Sequence, residues 1–231
     1  MRNNYFQFKQ FTVFHDLCAM KVGTDGVLLG ATAEGGHNIL DIGTGTGLIA
    51  LMMAQRFPEA RVTGIDIDDG AIMQAHRNIE ASPFAGRIEI TKCDIAKFWP
   101  EMQFDSITCN PPFFENATPC PDSQRSMARH STSLPYSTLM GRASELLTDQ
   151  GCMSIIIPAD YMGRIEEEIA YASLFIAKRI NICTTDRKPP KRIILQLRKT
   201  PSAGTDTTTV SLTNQGKRSE WYAETCKEFY L

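Results

Sequence analysis

Residues 40–48 read LDIGTGTGL, and this stretch joins a short apolar run to an amphipathic one. Its three alternate glycines, Gly43, Gly45 and Gly47, let the backbone pass close beneath a ligand, because glycine adopts conformations that other residues avoid. The N-terminus of the helix expected behind them favours polar or anionic groups. The stretch therefore predicts a strand, a tight ligand-binding loop and a helix, in that order.

Strand-like and helix-like segments alternate from His37 onward. The predicted strands are residues 39–42, 62–65, 88–90, 106–109, 153–157, 177–182 and 193–197. The predicted helices are residues 47–56, 69–81, 136–147 and 164–173. This alternation predicts an α/β fold with a doubly wound, mostly parallel sheet and helices on both faces. We expect residues 37–231 to form this domain and residues 1–36 to form an N-terminal lid or cap.

The segments that flank this alternation carry patterns of their own. Residues 21–29 are typical of a turn that opens a short helix, with Thr24 or Asp25 as its N-cap. Residues 202–209 are polar and rich in glycine, serine and threonine, which predicts a flexible loop. Residues 221–231 hold a tryptophan, two tyrosines and a phenylalanine. Because a solvated tail rarely carries so many aromatic residues, we expect this C-terminal tail to dock on the domain.

The composition is that of an ordinary globular protein with enough apolar residues for a core. The chain has 231 residues, of which 42% are hydrophobic and 22% charged, and its formal net charge is −2. This charge balance excludes a globally basic nucleic-acid binder but allows a local basic patch. We expect no membrane span and no signal peptide, because the chain lacks the apolar runs that both require.

Cysteine and histidine usage argues against disulfides and metal sites. The seven cysteines are odd in number and form no Cys-x-x-Cys pair, which favours a reduced, cytoplasmic location. None of the four histidines has the spacing to another ligand that zinc sites show. We therefore expect no metal.

Asp41 bears on which cofactor the glycine loop holds. A dinucleotide-binding fingerprint reads Gly-x-Gly-x-x-Gly. Counted from Gly43 its last position is Leu48, but counted from Gly45 it is Ala50, which is permitted, so the spacing argues only weakly against a nicotinamide cofactor. Asp41 ends the first strand, where an ammonium group would find a carboxylate. Nicotinamide and flavin cofactors have no ammonium group, whereas S-adenosylmethionine has one.

Carboxylates also follow the next two predicted strands. Asp66 is placed to accept hydrogen bonds from both ribose hydroxyls of a nucleoside. Asp94 is placed to accept one from an adenine amino group, with Ile67 and Ile95 on either side of the ring. Any one of these aspartates alone is more often a helix cap or a turn residue. Three of them at successive strand ends, beside the glycine loop, favour a cofactor site.

Asn110-Pro111-Pro112-Phe113 follows the fourth predicted strand. Its two prolines remove two backbone donors and stiffen the turn, so that the Asn110 amide oxygen and the Pro111 carbonyl are offered as acceptors beside an aromatic face. Such a turn suits the planar amino group of a nucleobase, although a rigid loop with a buried phenylalanine would have the same sequence. Two accepted N–H groups would draw the amino nitrogen toward a tetrahedral shape, and Phe113 would stack on the base.

Together these motifs resemble class I S-adenosylmethionine-dependent methyltransferases over residues 20–200. The resemblance implies a Rossmann-like, seven-stranded sheet, S-adenosylmethionine as methyl donor, S-adenosylhomocysteine as product and a planar nitrogen as acceptor. Residues 11–15, 20–30, 129–130 and 228–231 further resemble the bacterial tRNA1(Val) adenine-37 N6-methyltransferases, in which a tyrosine often stands in the place of Phe113. This resemblance implies that Lys21, Thr24 and Asp25 cover the methionine end of the cofactor, and that N6 of an adenine in tRNA is the acceptor.

Two groups of cations are candidates for contacts with the tRNA. The candidates are Arg125, Arg129, His130, Lys188, Lys191 and Arg192. The first three follow the Asn-Pro-Pro-Phe turn in a predicted loop, and the other three belong to a run of four cations in six residues. A charge run is equally typical of a solvated surface turn. We expect both groups to line the approach of tRNA to a monomeric enzyme.

Other functions stay open at this point. A release-factor glutamine or an rRNA guanine N2 is a possible acceptor for the same turn, but the glutamine enzymes carry a helical N-terminal domain and only 36 residues precede the predicted domain here. A non-catalytic cofactor-binding subunit is disfavoured by the intact turn beside an intact glycine loop. A nicotinamide dehydrogenase is disfavoured because no second domain and no hydride-transfer His or Tyr constellation is evident.

Overall fold

A computed structural model describes residues 3–18, 21–112 and 134–231 of the chain. A hairpin of β1 (Tyr5–Gln7) and β2 (Thr12–Phe14) comes first. The other strands are β3 (Asn38–Ile42), β4 (Arg61–Asp66), β5 (Ile88–Lys92), β6 (Phe104–Cys109), β7 (Leu147–Pro158), β8 (Phe175–Thr185), β9 (Pro190–Arg198), β10 (Asp206–Asn214) and β11 (Lys217–Arg218). The helices are α1 (Thr24–Thr32), α2 (Leu48–Arg56), α3 (Asp69–Glu80), α4 (Tyr136–Leu146), α5 (Met162–Tyr171) and α6 (Glu220–Cys226).

Within the described ranges, nine strands form the main sheet in the order β11-β10-β8-β9-β7-β6-β3-β4-β5. The five strands at one end of this order, β7-β6-β3-β4-β5, pair in parallel. Strand β9 lies between β7 and β8 and runs antiparallel to both. The α/β fold with a mostly parallel sheet is thereby confirmed. The seven predicted strands are β3 to β9, and β10 and β11 extend the sheet beyond them.

The prediction of a flexible loop at residues 202–209 is wrong from Asp206 onward. There the chain enters β10, which pairs in parallel with β8 from the Asp206–Lys178 pair to the Thr213–Thr185 pair. Three threonines and a valine follow Asp206 in this strand, and β-branched residues pack well on a pleated surface. Their β propensity outweighs the polar character that suggested a loop.

The cap of α1 also differs from the prediction. Gly23, and neither Thr24 nor Asp25, is the N-cap, and its extended backbone carries no side-chain cap hydrogen bond. Glycine is tolerated at this position because it reaches the extended cap conformation freely. Asp25 lies in the first turn of the helix instead, where its charge favours the helix dipole and where its side chain is available for another partner.

The two faces of the sheet bury two separate apolar clusters. Successive residues of a strand point to opposite faces, so Ile39 and Ile156 belong to one cluster while Leu40 and Ile155 belong to the other. The first cluster lies beneath α1, α2 and α3, and the second beneath α4 and α5. Helices therefore cover both faces, as a doubly wound sheet requires.

The N-terminal hairpin and the C-terminal tail pack on the first of these faces. Phe8 and Val13 of the hairpin and Phe229 of the tail are buried in the same cluster. The backbone N–H of Lys9 donates to the Phe229 carbonyl at 2.8 Å. The tail thus lies against the N-terminal segment, while the division of the chain at residue 36 stays a prediction. None of the helices in the described ranges is both long and apolar enough to span a membrane.

Candidate active site

The glycine loop between β3 and α2 has the backbone that its sequence predicts. Gly43, Gly45 and Gly47 all have positive φ angles, of 69°, 55° and 77°. Residues with a side chain rarely adopt this conformation, so each position requires glycine. The N–H groups of Gly43 and Thr44 both donate to the carbonyl of Ile65, at 2.9 and 3.0 Å, and this fixes the loop to the end of β4.

Asp41 lies beneath this loop and has no exposed surface. Its two carboxylate oxygens accept hydrogen bonds from the hydroxyls of Thr44, at 2.7 Å, and Thr108, at 2.9 Å. Burial raises the pKa of Asp41 to about 6, although these two hydrogen bonds act in the opposite direction. The carboxylate has no exposed surface and is not part of the cleft lining, so its burial argues against the predicted direct contact with an ammonium group. Asp41 instead ties the glycine loop to β6.

Asp66 and Asp94 end their strands as predicted, and both are already engaged by backbone donors. Asp66 accepts from the N–H of Gly45 at 2.9 Å and from the N–H of Asp68 at 3.0 Å, and it remains partly exposed. Asp94 caps a single 3-10 turn by accepting from the N–H of Ala96 at 2.9 Å, and it is exposed. Each carboxylate keeps free lone pairs for a ligand. The backbone hydrogen bonds and a ligand contact are therefore compatible at both positions.

The predicted apolar sandwich is present on one side only. Ile67 is 53% exposed and presents an apolar face beside Asp66. Ile95 is 4% exposed, because its side chain packs into the core beneath α4. Ile95 therefore does not offer a face to a bound ring, and this part of the prediction is wrong. Sequence alone does not distinguish the two isoleucines, because each directly follows an aspartate at a strand end.

The Asn-Pro-Pro turn follows β6 at the same edge of the sheet. Pro111 is buried, Pro112 is exposed, and Phe113 lies outside the described residues. The Oδ1 atom of Asn110 is buried, and no donor among the described residues lies within hydrogen-bonding distance of it. Leaving a buried acceptor unpaired costs about 1–3 kcal/mol. An orphaned amide oxygen of this kind marks a place where a ligand donor fits after a rotation of the side chain.

A cleft of about 330 Å³ brings these elements together. Its wall consists of Lys21, residues 23–26, residues 43–46 of the glycine loop, the start of α2 and residues 110–111. This volume falls within the range of small-molecule sites. Lys21 and Asp25 supply opposite charges to the lining, and Thr24 lies between them in sequence. The cleft therefore offers one cation, one anion and a glycine cradle, which suits a ligand with a zwitterionic amino-acid end, and the Asn110 amide lies in its wall.

The structure describes three of the six cations that were predicted to bind RNA. Lys188 and Lys191 are exposed near the turn that joins β8 to β9. Since β7 and β8 both run antiparallel to β9, this turn lies at the same edge of the sheet as the end of β7. Arg192 donates from Nε to the Asp25 carboxylate at 2.7 Å and is only 21% exposed, so part of its charge is engaged inside the protein and its contact with RNA stays a prediction. The remaining three candidates, Arg125, Arg129 and His130, lie outside the described residues.

Two buried amides on α3 were missed by the sequence analysis. Asn78 donates from Nδ2 to the carbonyls of Phe14 and Thr46, at 2.9 and 2.8 Å, and its Oδ1 accepts from the N–H of Phe14. Gln74 accepts from the N–H of Leu17 at 2.8 Å. These contacts fasten the N-terminal segment to the glycine loop. The signal was present in the sequence, because both amides lie on the apolar stripe of the helix at a spacing of four residues.

Two tyrosines at the carboxyl edge were missed as well. Tyr136 begins α4, and Tyr161 follows the end of β7, with their rings edge to face and their centroids 6.3 Å apart. Burial raises the pKa of Tyr136 to about 12, so its hydroxyl stays protonated. Over the ranges that the structure describes, no group of three or more His, Cys, Asp or Glu side chains is arranged to hold a metal ion.

Comparison with known proteins identifies relatives that share one name and match most or all of the chain. A family model described as methyltransferase small domain matches residues 20–161. The tRNA1(Val) (adenine(37)-N6)-methyltransferase of Bacteroides thetaiotaomicron is 44% identical, over 100% of this chain and 99% of its own. The enzyme of the same name from Phocaeicola vulgatus is 47% identical over the same shares. That from Klebsiella pneumoniae is 41% identical over 87% of this chain and 83% of its own.

Solved structures show the same fold at low sequence identity. A protein described as a predicted O-methyltransferase, from Agrobacterium tumefaciens, has a TM-score of 0.69 at 17% identity, over 89% of this chain and 96% of its own. TrmN from Thermus thermophilus has a TM-score of 0.54 at 21% identity, over 75% of this chain and 47% of its own. With the full-length relatives and the family model, these findings establish that the chain is a methyltransferase and belongs to the family of tRNA1(Val) (adenine(37)-N6)-methyltransferases.

Proposed function

We propose that this enzyme transfers a methyl group from S-adenosylmethionine to N6 of adenine 37 in tRNA1(Val) and releases S-adenosylhomocysteine. The relatives with this name match the chain from end to end. The observation that carries the proposal is the buried Oδ1 of Asn110 beside the glycine loop, which finds no donor in residues 3–18, 21–112 and 134–231, because an amino group is a donor of the kind that it would accept.

The order of the strands supports an extended cofactor along the carboxyl edge of the sheet. The Asn110 turn, the glycine loop, Asp66 and Asp94 follow the neighbouring strands β6, β3, β4 and β5. Neighbouring strands lie about 4.8 Å apart, so the edge from β6 to β5 spans about 14 Å. The methionine end belongs near the charged cleft, and the adenosine end near Asp66, Ile67 and Asp94. The reacting methyl then lies on the side of Asn110.

The residues present fit both ends of this cofactor. In the cleft, Lys21 would pair with the α-carboxylate and Asp25 with the α-ammonium, while Thr24 supplies a hydroxyl between them. At the other end, Asp66 would accept from the ribose hydroxyls, and the exposed face of Ile67 would cover one side of the adenine. Asp25 thus takes the role that the sequence suggested for Asp41.

Positioning and directed hydrogen bonding account for the chemistry. When bound, the cofactor supplies the methyl group on a sulfonium sulfur. Asn110 Oδ1 and the Pro111 carbonyl would each accept one N–H of the adenine amino group, which turns the nitrogen lone pair away from the ring and toward the methyl group. Pro112 stiffens the turn, and Phe113 would stack on the base. No strong general base is needed before attack, because the nitrogen loses its proton readily once it is methylated.

The acceptor must leave its base stack to enter such a cleft, which favours a nucleotide in a loop. Lys188 and Lys191 at the carboxyl edge, together with Arg125, Arg129 and His130, would contact the phosphates around it. These are contacts that position the RNA and carry no base specificity. We place the reaction in the cytoplasm and treat the enzyme as a monomer.

The test is to incubate the protein with labelled S-adenosylmethionine and bulk tRNA from a strain that lacks its own enzyme, and then to map the modified nucleosides. N6-methyladenosine at position 37 of one isoacceptor is the expected result. Label in a protein fraction would indicate a release-factor glutamine instead, and label in guanosine would indicate the guanine N2 alternative. The Asn110→Ala variant is the matched control, since it alters only the turn.

A further inference from the structure

A second cavity, of about 150 Å³, adjoins the cofactor cleft on the side away from β4 and β5. Thr24 and Asp25 border both spaces, so the wall between them is a single turn of α1. The floor of the second cavity is apolar and consists of Leu28, Ile182 and Leu212. Apart from its charged rim and the turn that it shares with the cleft, this cavity has no role in the site described above.

The strands that extend the sheet give this cavity its far wall. Ile182 lies on β8, and Leu212 lies on β10, which pairs with β8 at this point. Thr184 on β8 and Lys191 on β9 form the rim. Because β8 ends and β9 begins at the carboxyl edge of the sheet, the cavity opens at the same edge as the cofactor cleft.

The size and charge of the cavity indicate its occupant. A cavity of about 150 Å³ is large enough to hold one benzene-sized ring. Its lining combines the three apolar floor residues with five polar or charged residues around them. The ion pair between Arg192 and Asp25 cancels two charges at the wall, so the net charge at the rim comes from the exposed Lys191. Arg187 and Lys188 in the adjacent turn are exposed too, against a single carboxylate at Asp186. A planar ring linked to a phosphate matches an apolar floor with a cationic rim.

We propose that this cavity receives the base of a nucleotide that neighbours the target adenine in the RNA, while Lys191 contacts the phosphate of that nucleotide. The inference rests on the proposed action on tRNA and adds a second point of attachment. Single-stranded loops are commonly bound with several bases splayed out into separate pockets. The shared wall places the two pockets next to each other, as adjacent nucleotides require.

Filling the cavity tests this inference. Thr184→Trp places an indole at an exposed rim position on a strand, where an aromatic residue is tolerated. Thr208→Trp, at an exposed position of β10 that does not line the cavity, is the matched control. For each variant we would measure KM and kcat with the tRNA, the Kd for S-adenosylhomocysteine by calorimetry, and the thermal unfolding midpoint.

The expected result is a KM for tRNA raised about tenfold in Thr184→Trp, as for the loss of one base-stacking contact, with the Kd for S-adenosylhomocysteine unchanged. Lys191→Ala should raise KM as well and lower the salt dependence of binding by about one unit of slope. Because a phosphate contact of Lys191 also follows from the proposed function alone, Leu212→Phe, which narrows the same cavity from β10, keeps the test open if Thr184→Trp does not fold.

Three results would overturn the inference while leaving the proposed function intact. They are an unchanged KM in Thr184→Trp and Lys191→Ala, an equal rise in the Thr208→Trp control, and a loss of S-adenosylhomocysteine binding in Thr184→Trp. A wild-type enzyme that methylates no tRNA would reject the proposed function itself. The two failures are therefore distinguishable.

Discussion

The carboxylate of Asp25 lies 2.7 Å from the Nε atom of Arg192, and this ion pair joins the first turn of α1 to the start of β9. The Asp25 and Arg192 side chains are only 28% and 21% exposed, so the pair is partly shielded from water. Asp25 lines the cofactor cleft, whereas Arg192 lies in the wall of the neighbouring cavity. The contact of Arg192 with RNA stays a prediction, whereas its ion pair with Asp25 is part of the structure and fixes the position of the Asp25 carboxylate.

We expect Arg192→Met to weaken the binding of S-adenosylhomocysteine by about fivefold, since losing a partly buried, charge-assisted contact costs about 1 kcal/mol. Methionine keeps the apolar part of the side chain and removes the partner of Asp25. Calorimetric titration with S-adenosylhomocysteine measures the change. Lys188→Met, at an exposed position of the neighbouring turn, should leave this Kd as it is. Equal affinities in all three proteins would show that the ion pair does not position Asp25 for the ligand.

Asn110→Ala should lower kcat by about 100-fold or more, which is typical for the loss of one preorganised hydrogen bond to the reacting group. The affinity for S-adenosylhomocysteine should change by much less, because the proposed partner of the Asn110 oxygen is the amino group of the adenine and not the cofactor. Single-turnover methylation of tRNA and calorimetry separate the two effects. A variant that binds and turns over like the wild type would remove Asn110 from the chemistry.

Charge reversal at Lys188 tests the approach of the RNA. Lys188→Glu should weaken tRNA binding and reduce the slope of log Kd against log salt by about one or more, because each phosphate contact releases counterions. Arg129→Glu is expected to act in the same way. Binding of S-adenosylhomocysteine serves as the internal control, since neither residue belongs to the cleft lining described. A salt slope identical to that of the wild type would place both cations away from the RNA.

Most of the fold was predictable because it rests on periodic patterns. Apolar runs separated by amphipathic stretches located β3 to β9 and the four helices α2 to α5, and the three alternate glycines located the loop. The glycine spacing works as a signal because positive φ angles leave few other residues possible. Strand β10 was not predicted because most of its residues are polar. For threonine, polarity suggests a loop, whereas the β-branched side chain favours a strand.

The site residues that differ from expectation differ in how deeply their side chains are buried. The spacing of residues along the sequence does not encode this. Asp41 and Asp66 both end a strand before a loop, yet one is fully buried and the other is partly exposed. Ile67 and Ile95 differ in the same way, since α4 covers only Ile95. Arg192 sits in a run of cations and is drawn inward by Asp25, a residue 167 positions away. Contacts at that separation follow from packing and not from local pattern.

Asn78 offers a test of the fastening between the N-terminal segment and the glycine loop. Its amide makes three hydrogen bonds to backbone groups of Phe14 and Thr46 and is fully buried. Asn78→Ala should lower the free energy of unfolding by about 2–4 kcal/mol, because it leaves buried backbone groups unpaired. Urea unfolding measures this change, and His76→Ala at an exposed position of the same helix is the control. If Asn78→Ala lowered the free energy of unfolding by less than His76→Ala does, the attachment of the N-terminal segment would not depend on Asn78.

Asp41 makes stability depend on pH in a predictable direction. Its pKa of about 6 in the folded protein exceeds the ordinary value of 3.8, so the native state binds more protons than the unfolded state between these two values. The stabilising contribution of the neutral carboxyl is therefore fully present below the unfolded pKa and is lost as the pH rises through 6. At 1.36 kcal/mol per pKa unit, the shift corresponds to about 3 kcal/mol.

Asp41→Asn removes the titration and keeps the shape, since the hydroxyls of Thr44 and Thr108 can rotate to donate or accept. We expect the free energy of unfolding of Asp41→Asn, relative to the wild type, to rise by about 2 kcal/mol between about pH 4 and pH 7, because the unfolded carboxyl is already partly ionised at pH 4. Urea titrations at both pH values measure this difference. If the difference in unfolding free energy between the two proteins were the same at both pH values, burial would not disfavour the charged form of Asp41. If Asp41→Asn also bound S-adenosylhomocysteine far more weakly while remaining folded, the carboxylate would be the partner of the cofactor ammonium after all, and the assignment of that role to Asp25 would fail.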